Sequence, residues 1–139
     1  MYRSETKIKV RYAETDQMGF VYYGNYAVYY EIARVECLRR LGFVYKDLED
    51  RGFILPVISY HINFLKPAFY DDEITVKVTV SEMPSVRITF DYESFNSKGE
   101  KINEGTAVLV FMDKKKQAPC HPPRDFIDKI APFFSPSKN

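Results

Sequence analysis

Tyr12-Ala13-Glu14-Thr15-Asp16-Gln17-Met18-Gly19-Phe20-Val21-Tyr22-Tyr23-Gly24-Asn25-Tyr26, running on from Ala27 to Leu41, is the stretch that decides the fold of this chain. It places a carboxylate, Asp16, in a glycine-punctuated loop just ahead of a long apolar helix. A helix start offers unpaired backbone N–H groups and a partial positive charge. An acid beside such donors is held ionised, and the same donors can grip a developing oxyanion. Acyl transfer needs that pairing and needs no metal.

The helix is read from its spacing. Tyr26, Tyr30, Ala33, Cys37 and Leu41 recur at steps of three and four, and Val28, Ile32, Val35 and Leu38 widen the apolar surface. Asn25 or Gly24 is placed to cap its start, and Gly42 its end. Glu36 and Arg40 can pair four residues apart on the remaining polar strip. A helix apolar over most of its circumference is expected to be wrapped by other structure.

Working outward, Ile8-Lys9-Val10-Arg11-Tyr12 alternates and reads as a half-buried strand. Tyr45 to Gly52 reads as a short second helix. Strand grammar follows: Leu55 to Lys66 closed by Pro67, Glu73 to Val80, a turn at Pro84, Val86 to Glu93, a hairpin turn at Asn96-Ser97-Lys98-Gly99, and Gly105 to Met112, apolar enough for an interior strand. The tail from Lys114 carries prolines and a short apolar segment, Phe126 to Phe134. Neither repeat nor linker divides residues 1–139. The expected class is α+β, a single domain in which a five-stranded, mainly antiparallel sheet curls around one long buried helix.

Composition narrows the function. The 139 residues can bury a real core, with 45% hydrophobic and 28% charged residues. Eleven Tyr and eleven Phe suit a core, an interface or an apolar ligand pocket. A formal net charge of +1 gives a nucleic-acid partner no bulk electrostatic support. Cys37 and Cys120 form neither a disulfide framework nor a metal-binding pair, and His61 and His121 lack ligand spacing, so no cofactor or metal is expected. The N-terminus lacks a signal-peptide pattern, and no apolar run reaches the length of a membrane span. The expected setting is the cytoplasm, without stable membrane insertion.

Thr15-Asp16-x-x-Gly19-x-Val21-Tyr22-x-x-x-Tyr26, followed by Tyr30-Glu31-x-Ala33-Arg34, resembles the hotdog-fold acyl-CoA thioesterases of the 4-hydroxybenzoyl-CoA thioesterase type. The strand pattern fits this family across almost the whole chain, and Phe69-Tyr70-Asp71-Asp72 fits its turn before the strand at Glu73. The resemblance implies hydrolysis of acyl-CoA or acyl-carrier-protein thioesters, with Asp16 catalytic. It implies an oxyanion site at the backbone N–H of Tyr23 or Gly24. Tyr23 stands where many members have His, so no imidazole-dependent mechanism carries over at that position. The resemblance further implies a homodimer, joined sheet edge to sheet edge with active sites at the interface, or a homotetramer of such dimers.

Other residues are candidates for substrate binding. Alternation puts Ser59, His61 and Asn63 on one face of their strand, where they line a cleft or face solvent. Lys66 and Arg87 are cations able to meet the phosphates of coenzyme A, and Ser85 lies in the turn leading to Arg87. The cluster Lys114-Lys115-Lys116 reads as a solvated turn, with a phosphate or acyl-carrier-protein contact as the alternative. Tyr22 and Tyr26 read as core or interface aromatics.

Two other functions stand beside thioester hydrolysis. A hotdog hydratase or dehydratase would need a His paired with an acid, and His61 is the one candidate. A non-enzymatic acyl-binding protein would keep the aromatic pocket and have no need of Asp16.

Overall fold

The computed structural model describes residues 1–134. In chain order it contains β1 (Tyr2–Lys9), a 3-10 turn (Tyr12–Glu14), α1 (Asn25–Arg40), α2 (Tyr45–Asp50), β2 (Phe53–Ile54), β3 (Val57–Phe64) and β4 (Glu73–Val80). β5 (Arg87–Phe95), β6 (Lys101–Val110), β7 (Met112–Asp113), β8 (Ala118–Pro119), α3 (Arg124–Ile130) and a 3-10 turn (Ala131–Phe133) follow. Five strands pair antiparallel in the order β1-β4-β5-β6-β3, and the two-residue strands form a small second sheet, β2-β7-β8.

Strict alternation builds the main sheet. Ile74, Val76, Val78 and Val80 of β4, with Ile88, Phe90 and Tyr92 of β5, are buried on the face that α1 covers. Tyr26, Tyr30, Ala33, Cys37 and Leu41 are buried as the spacing predicts, together with Tyr29, Arg34 and Leu38. Gly42 follows the helix with φ +101, a left-handed geometry that stops it cleanly. Burial raises the Cys37 thiol pKa to about 12, so this cysteine is an inert core residue.

Several expectations need correction. The first strand begins at Tyr2 and ends at Lys9, and Tyr12 belongs to the 3-10 turn. Pairing with β4 from Tyr2↔Val80 to Lys9↔Glu73 supplies the ladder that the polar run Arg3–Lys7 does not advertise. Glu36 pairs with Arg39 rather than Arg40, which reaches back to Ser4 and the Glu5 carbonyl. The helix is not wrapped all round: Val28 and Ile32 are 45% and 40% exposed. The apolar segment after Pro123 becomes α3, whose buried Phe126 packs on Phe43 and Phe111; part of the proline-bearing tail, residues 135–139, lies outside the described residues.

Candidate active site

The loop between β1 and α1 is held by its own backbone. Thr15 and Val21 form an antiparallel bridge, Asp16 N–H donates to the Phe20 carbonyl (2.8 Å), and Gly19, at φ +84, donates to the Asp16 carbonyl (3.0 Å). Asp16 is partly buried. Its Oδ1 accepts from the N–H groups of Met18 (2.9 Å) and Phe20 (3.2 Å), so the carboxylate is oriented by the turn it closes. Both bonds use Oδ1, leaving Oδ2 outside them.

The helix start faces the same loop. Gly24 precedes α1 with helical dihedrals, φ −64 and ψ −23. A side chain here would collide with the Tyr22 ring, 2.9 Å from where its Cβ would sit. Of the two expected caps, Gly24 holds the N-cap position and no side chain caps the helix: the Asn25 amide donates to the Glu14 carbonyl (2.8 Å) instead. Asn25 and Tyr26 N–H bond back to Tyr22 and Tyr23. Among the described residues no acceptor faces the N–H groups of Tyr23 and Gly24. Open donors at a helix start are the kind of group that can receive an anion.

An apolar cavity of about 240 Å³ adjoins them, lined by Phe20, Val21, Tyr23, Tyr26, Phe64 and the Leu65–Pro67 turn. Tyr23 and Tyr26 both meet the ring of Phe64, at 6.4 and 5.7 Å between centroids. Burial lifts the Tyr26 hydroxyl to about 12, so it stays neutral.

Glu14 carries a part of this site that the sequence did not reveal. It is buried. Burial pushes its pKa up, but hydrogen bonds from Arg11 and Tyr29 outweigh that and hold it below the usual glutamate value. Arg11, three residues earlier, was the available signal for a charge partner.

Of the other predicted residues, Lys66 borders this cavity and the rest lie elsewhere in the chain. His61 and Asn63 are exposed and pair across with Thr106 and Glu104, which pair in turn with Asp91 and Glu93. This row lies on the sheet face turned away from α1, in a polar groove. Lys66 touches the cavity, and its ammonium pairs with Glu100 at 2.7 Å. Ser85 and Arg87 are exposed at the far end of the sheet, where Arg87 sits opposite Val110 and β3 begins at Val57. From there to Phe64 the strand runs roughly 23 Å. A second apolar cavity, about 300 Å³, lies at that far end against Tyr45, Leu48 and Phe53–Pro56.

Residues 10–130 match the model of the thioesterase-like superfamily. The chain belongs to that superfamily. YneP of Bacillus subtilis is 34% identical over 128 residues, 92% of this chain and 93% of that protein. The acyl-CoA thioester hydrolase YbgC of Escherichia coli is 27% identical over 120 residues, covering 86% and 90%. The solved structure of the DHNA-CoA thioesterase from Staphylococcus aureus superposes with a TM-score of 0.91 at 36% identity, covering 96% of this chain and 92% of that one. The superfamily's fold is the hotdog, as the motif around Asp16 led us to expect.

Among the described residues no group of three or more His, Cys, Asp or Glu could hold a metal ion. No helix among them is long and apolar enough to cross a membrane.

Proposed function

We propose that this protein hydrolyses acyl-CoA thioesters to the free acid and the thiol, with acyl-carrier-protein thioesters as a second substrate form. The observation that carries the proposal is the unfilled N–H groups of Tyr23 and Gly24 at the end of the loop that orients the Asp16 carboxylate, with Phe20 of that loop and Tyr23 lining an apolar cavity. The thioester carbonyl oxygen points at the two amides, which stabilise the charge that develops there. Asp16 Oδ2 then acts on the carbonyl carbon as nucleophile, or takes a proton from the water that attacks it. As nucleophile, Asp16 forms an anhydride with the acyl group as the C–S bond breaks, and water then cleaves that anhydride to restore Asp16. As base, Asp16 takes the proton of the water whose oxygen adds to the carbonyl carbon before the C–S bond breaks. By either route one water is consumed, the acid leaves as carboxylate, and coenzyme A leaves as thiolate and takes up a proton to become the thiol. Acyl-CoA as the substrate class is supported by the names of YbgC and of the Staphylococcus aureus enzyme.

A homodimer completes this account, with a homotetramer as its doubled form. Of the two sheet edges, β1 exposes charges at Arg3, Glu5, Lys7 and Lys9, whereas β3 exposes Val57, Ile58, Tyr60 and Phe64. An apolar open edge is the one that pairs. Two β3 strands related by a two-fold axis run antiparallel, so the Phe64 end of one lies beside the Val57 end of the other. That operation carries the partner subunit's Arg87 and Ser85 toward the Asp16 cavity, where a cation can meet coenzyme A phosphates. His61 and Asn63 fit this site less well, since their face is turned away from α1. The same placement counts against a hydratase built on His61.

The test is hydrolysis of short, long and aromatic acyl-CoAs, with release of the free thiol as the signal. Turnover with at least one acyl class supports the reading. Binding without thiol release across the panel overturns it.

A further inference from the structure

Glu14 accepts six hydrogen bonds at the junction of the loop and α1. Its Oε1 accepts from Arg11 N–H (2.9 Å) and from the Tyr29 hydroxyl (2.8 Å). Its Oε2 accepts from Arg11 Nε (3.1 Å) and Nη2 (2.8 Å). Its carbonyl accepts from Tyr22 N–H (2.9 Å) and from the Asn25 amide (2.8 Å). The carbonyl thus ties the turn to Tyr22 and to Asn25, the first residue of α1, and the carboxylate ties the same turn to the body of α1 through Tyr29, which is fully buried.

Burying a carboxylate is costly, and an apolar side chain of similar size often serves stability as well or better. Stability alone is therefore a weak reason for an acid here. The position offers another. Asp16 sits two residues further along the same turn, bonded within the 16–20 loop and not directly to the helix. Its location relative to the Tyr23 and Gly24 amides is set by whatever locks the turn to α1. The four bonds on the Glu14 carboxylate do this from both sides: Arg11 holds it to the chain entering the loop, Tyr29 to the helix.

We infer that Glu14 is a positioning residue for thioester hydrolysis, holding the Asp16 carboxylate in register with the helix-start amides. This rests on the assignment of Asp16 as the catalytic carboxylate. Glu14 does not touch the substrate; it acts through Asp16. A misplacement near 1 Å is enough to slow such chemistry strongly.

Glu14→Gln keeps the size and the backbone carbonyl but puts a donor-only NH2 group where one carboxylate oxygen accepts, so the side chain cannot keep all four bonds. The expected result with an acyl-CoA substrate is a kcat lower by about 10–100-fold with KM within about threefold. Circular dichroism should show a folded protein at the assay temperature. Tyr29→Phe removes one of the four bonds and should lower kcat in the same direction by a smaller factor. The deciding comparison is Glu14→Gln made in Asp16→Asn. If Glu14 works by placing Asp16, the double variant is no slower than Asp16→Asn alone. If the two losses multiply, Glu14 is a general structural residue and the inference fails. It fails by itself if Asp16→Asn is slow while Glu14→Gln and Tyr29→Phe turn over at the wild-type rate. A fast Asp16→Asn overturns the Asp16 assignment and this inference with it.

Discussion

Tyr30 of α1 lies face to face on Tyr92 of β5, with ring centroids 4.1 Å apart and planes 7° from parallel. The Tyr30 hydroxyl reaches past the stack to donate to Asn103 Oδ1 at 2.6 Å. Gly105 makes this approach of helix to sheet possible. A Cβ there would lie 2.5 Å from the His61 carbonyl oxygen and 2.9 Å from the Tyr30 ring. Backbone cannot yield as a flexible side chain can, so Gly105→Ala should lower stability by about 1–3 kcal/mol, the scale of overpacking. Thermal unfolding checks it; an unchanged Tm would show that α1 and the sheet separate more easily than the stacking implies.

Glu14 links stability to pH. Its folded pKa is depressed, so it contributes stability above its unfolded value of about 4.3, and that contribution is lost as pH falls through the lower folded value. Denaturant titrations of wild type and Glu14→Gln should show wild type more stable at pH 7, with the gap closing below about pH 4. A gap that stays constant with pH would mean the carboxylate is not ionised in the folded protein.

Arg87 is exposed, with no carboxylate bonded to it among the described residues, unlike Lys66 with Glu100. If its guanidinium meets coenzyme A phosphate, Arg87→Gln should raise KM for acyl-CoA severalfold with kcat little changed. A truncated thioester lacking the nucleotide should be hydrolysed as before. Equal losses on both substrates would make Arg87 a structural residue.

The β3 edge gives a prediction about assembly. Ile58 is 50% exposed and Tyr60 41%, both on the open strand. Ile58→Lys should produce a monomer by sedimentation at micromolar concentration and lower hydrolysis in parallel. A wild-type protein that sediments as a monomer would remove the two-fold arrangement from the account.

Local patterns made most of the fold legible. Alternation in Glu73–Val80 gave β4 to the residue, and the three-four spacing from Tyr26 with Gly42 as stop gave α1 to within a residue at each end. What escaped was set by distant partners. Arg3, Ser4 and Glu5 look like a solvated terminus and become a strand because β4 offers them a ladder. Strands of two residues, such as Phe53–Ile54, are too short for any periodicity. At the candidate site, the placement of Asp16 in a glycine-punctuated loop ahead of α1 was readable from the sequence. Glu14 was not, because an acid between Ala13 and Thr15 reads as exposed until Tyr29 is brought over it. The placement of Arg87 far from Asp16 within the chain follows from the β5–β6–β3 register, which no single stretch of sequence states.

The central claim is that the Asp16 carboxylate performs the chemistry, and Asp16→Asn tests it most directly. The substitution keeps the side chain's size, its Oδ1 can still accept from Met18 and Phe20, and only the charge is removed. With a good acyl-CoA substrate, kcat should fall by about 100-fold or more, the usual scale for a lost acid–base or nucleophilic group. KM should change little, because the Tyr23 and Gly24 amides and the aromatic cavity remain, and the circular dichroism spectrum should match wild type. A well-folded Asp16→Asn enzyme that releases thiol at nearly the wild-type rate would reduce Asp16 to a turn residue and contradict the mechanism.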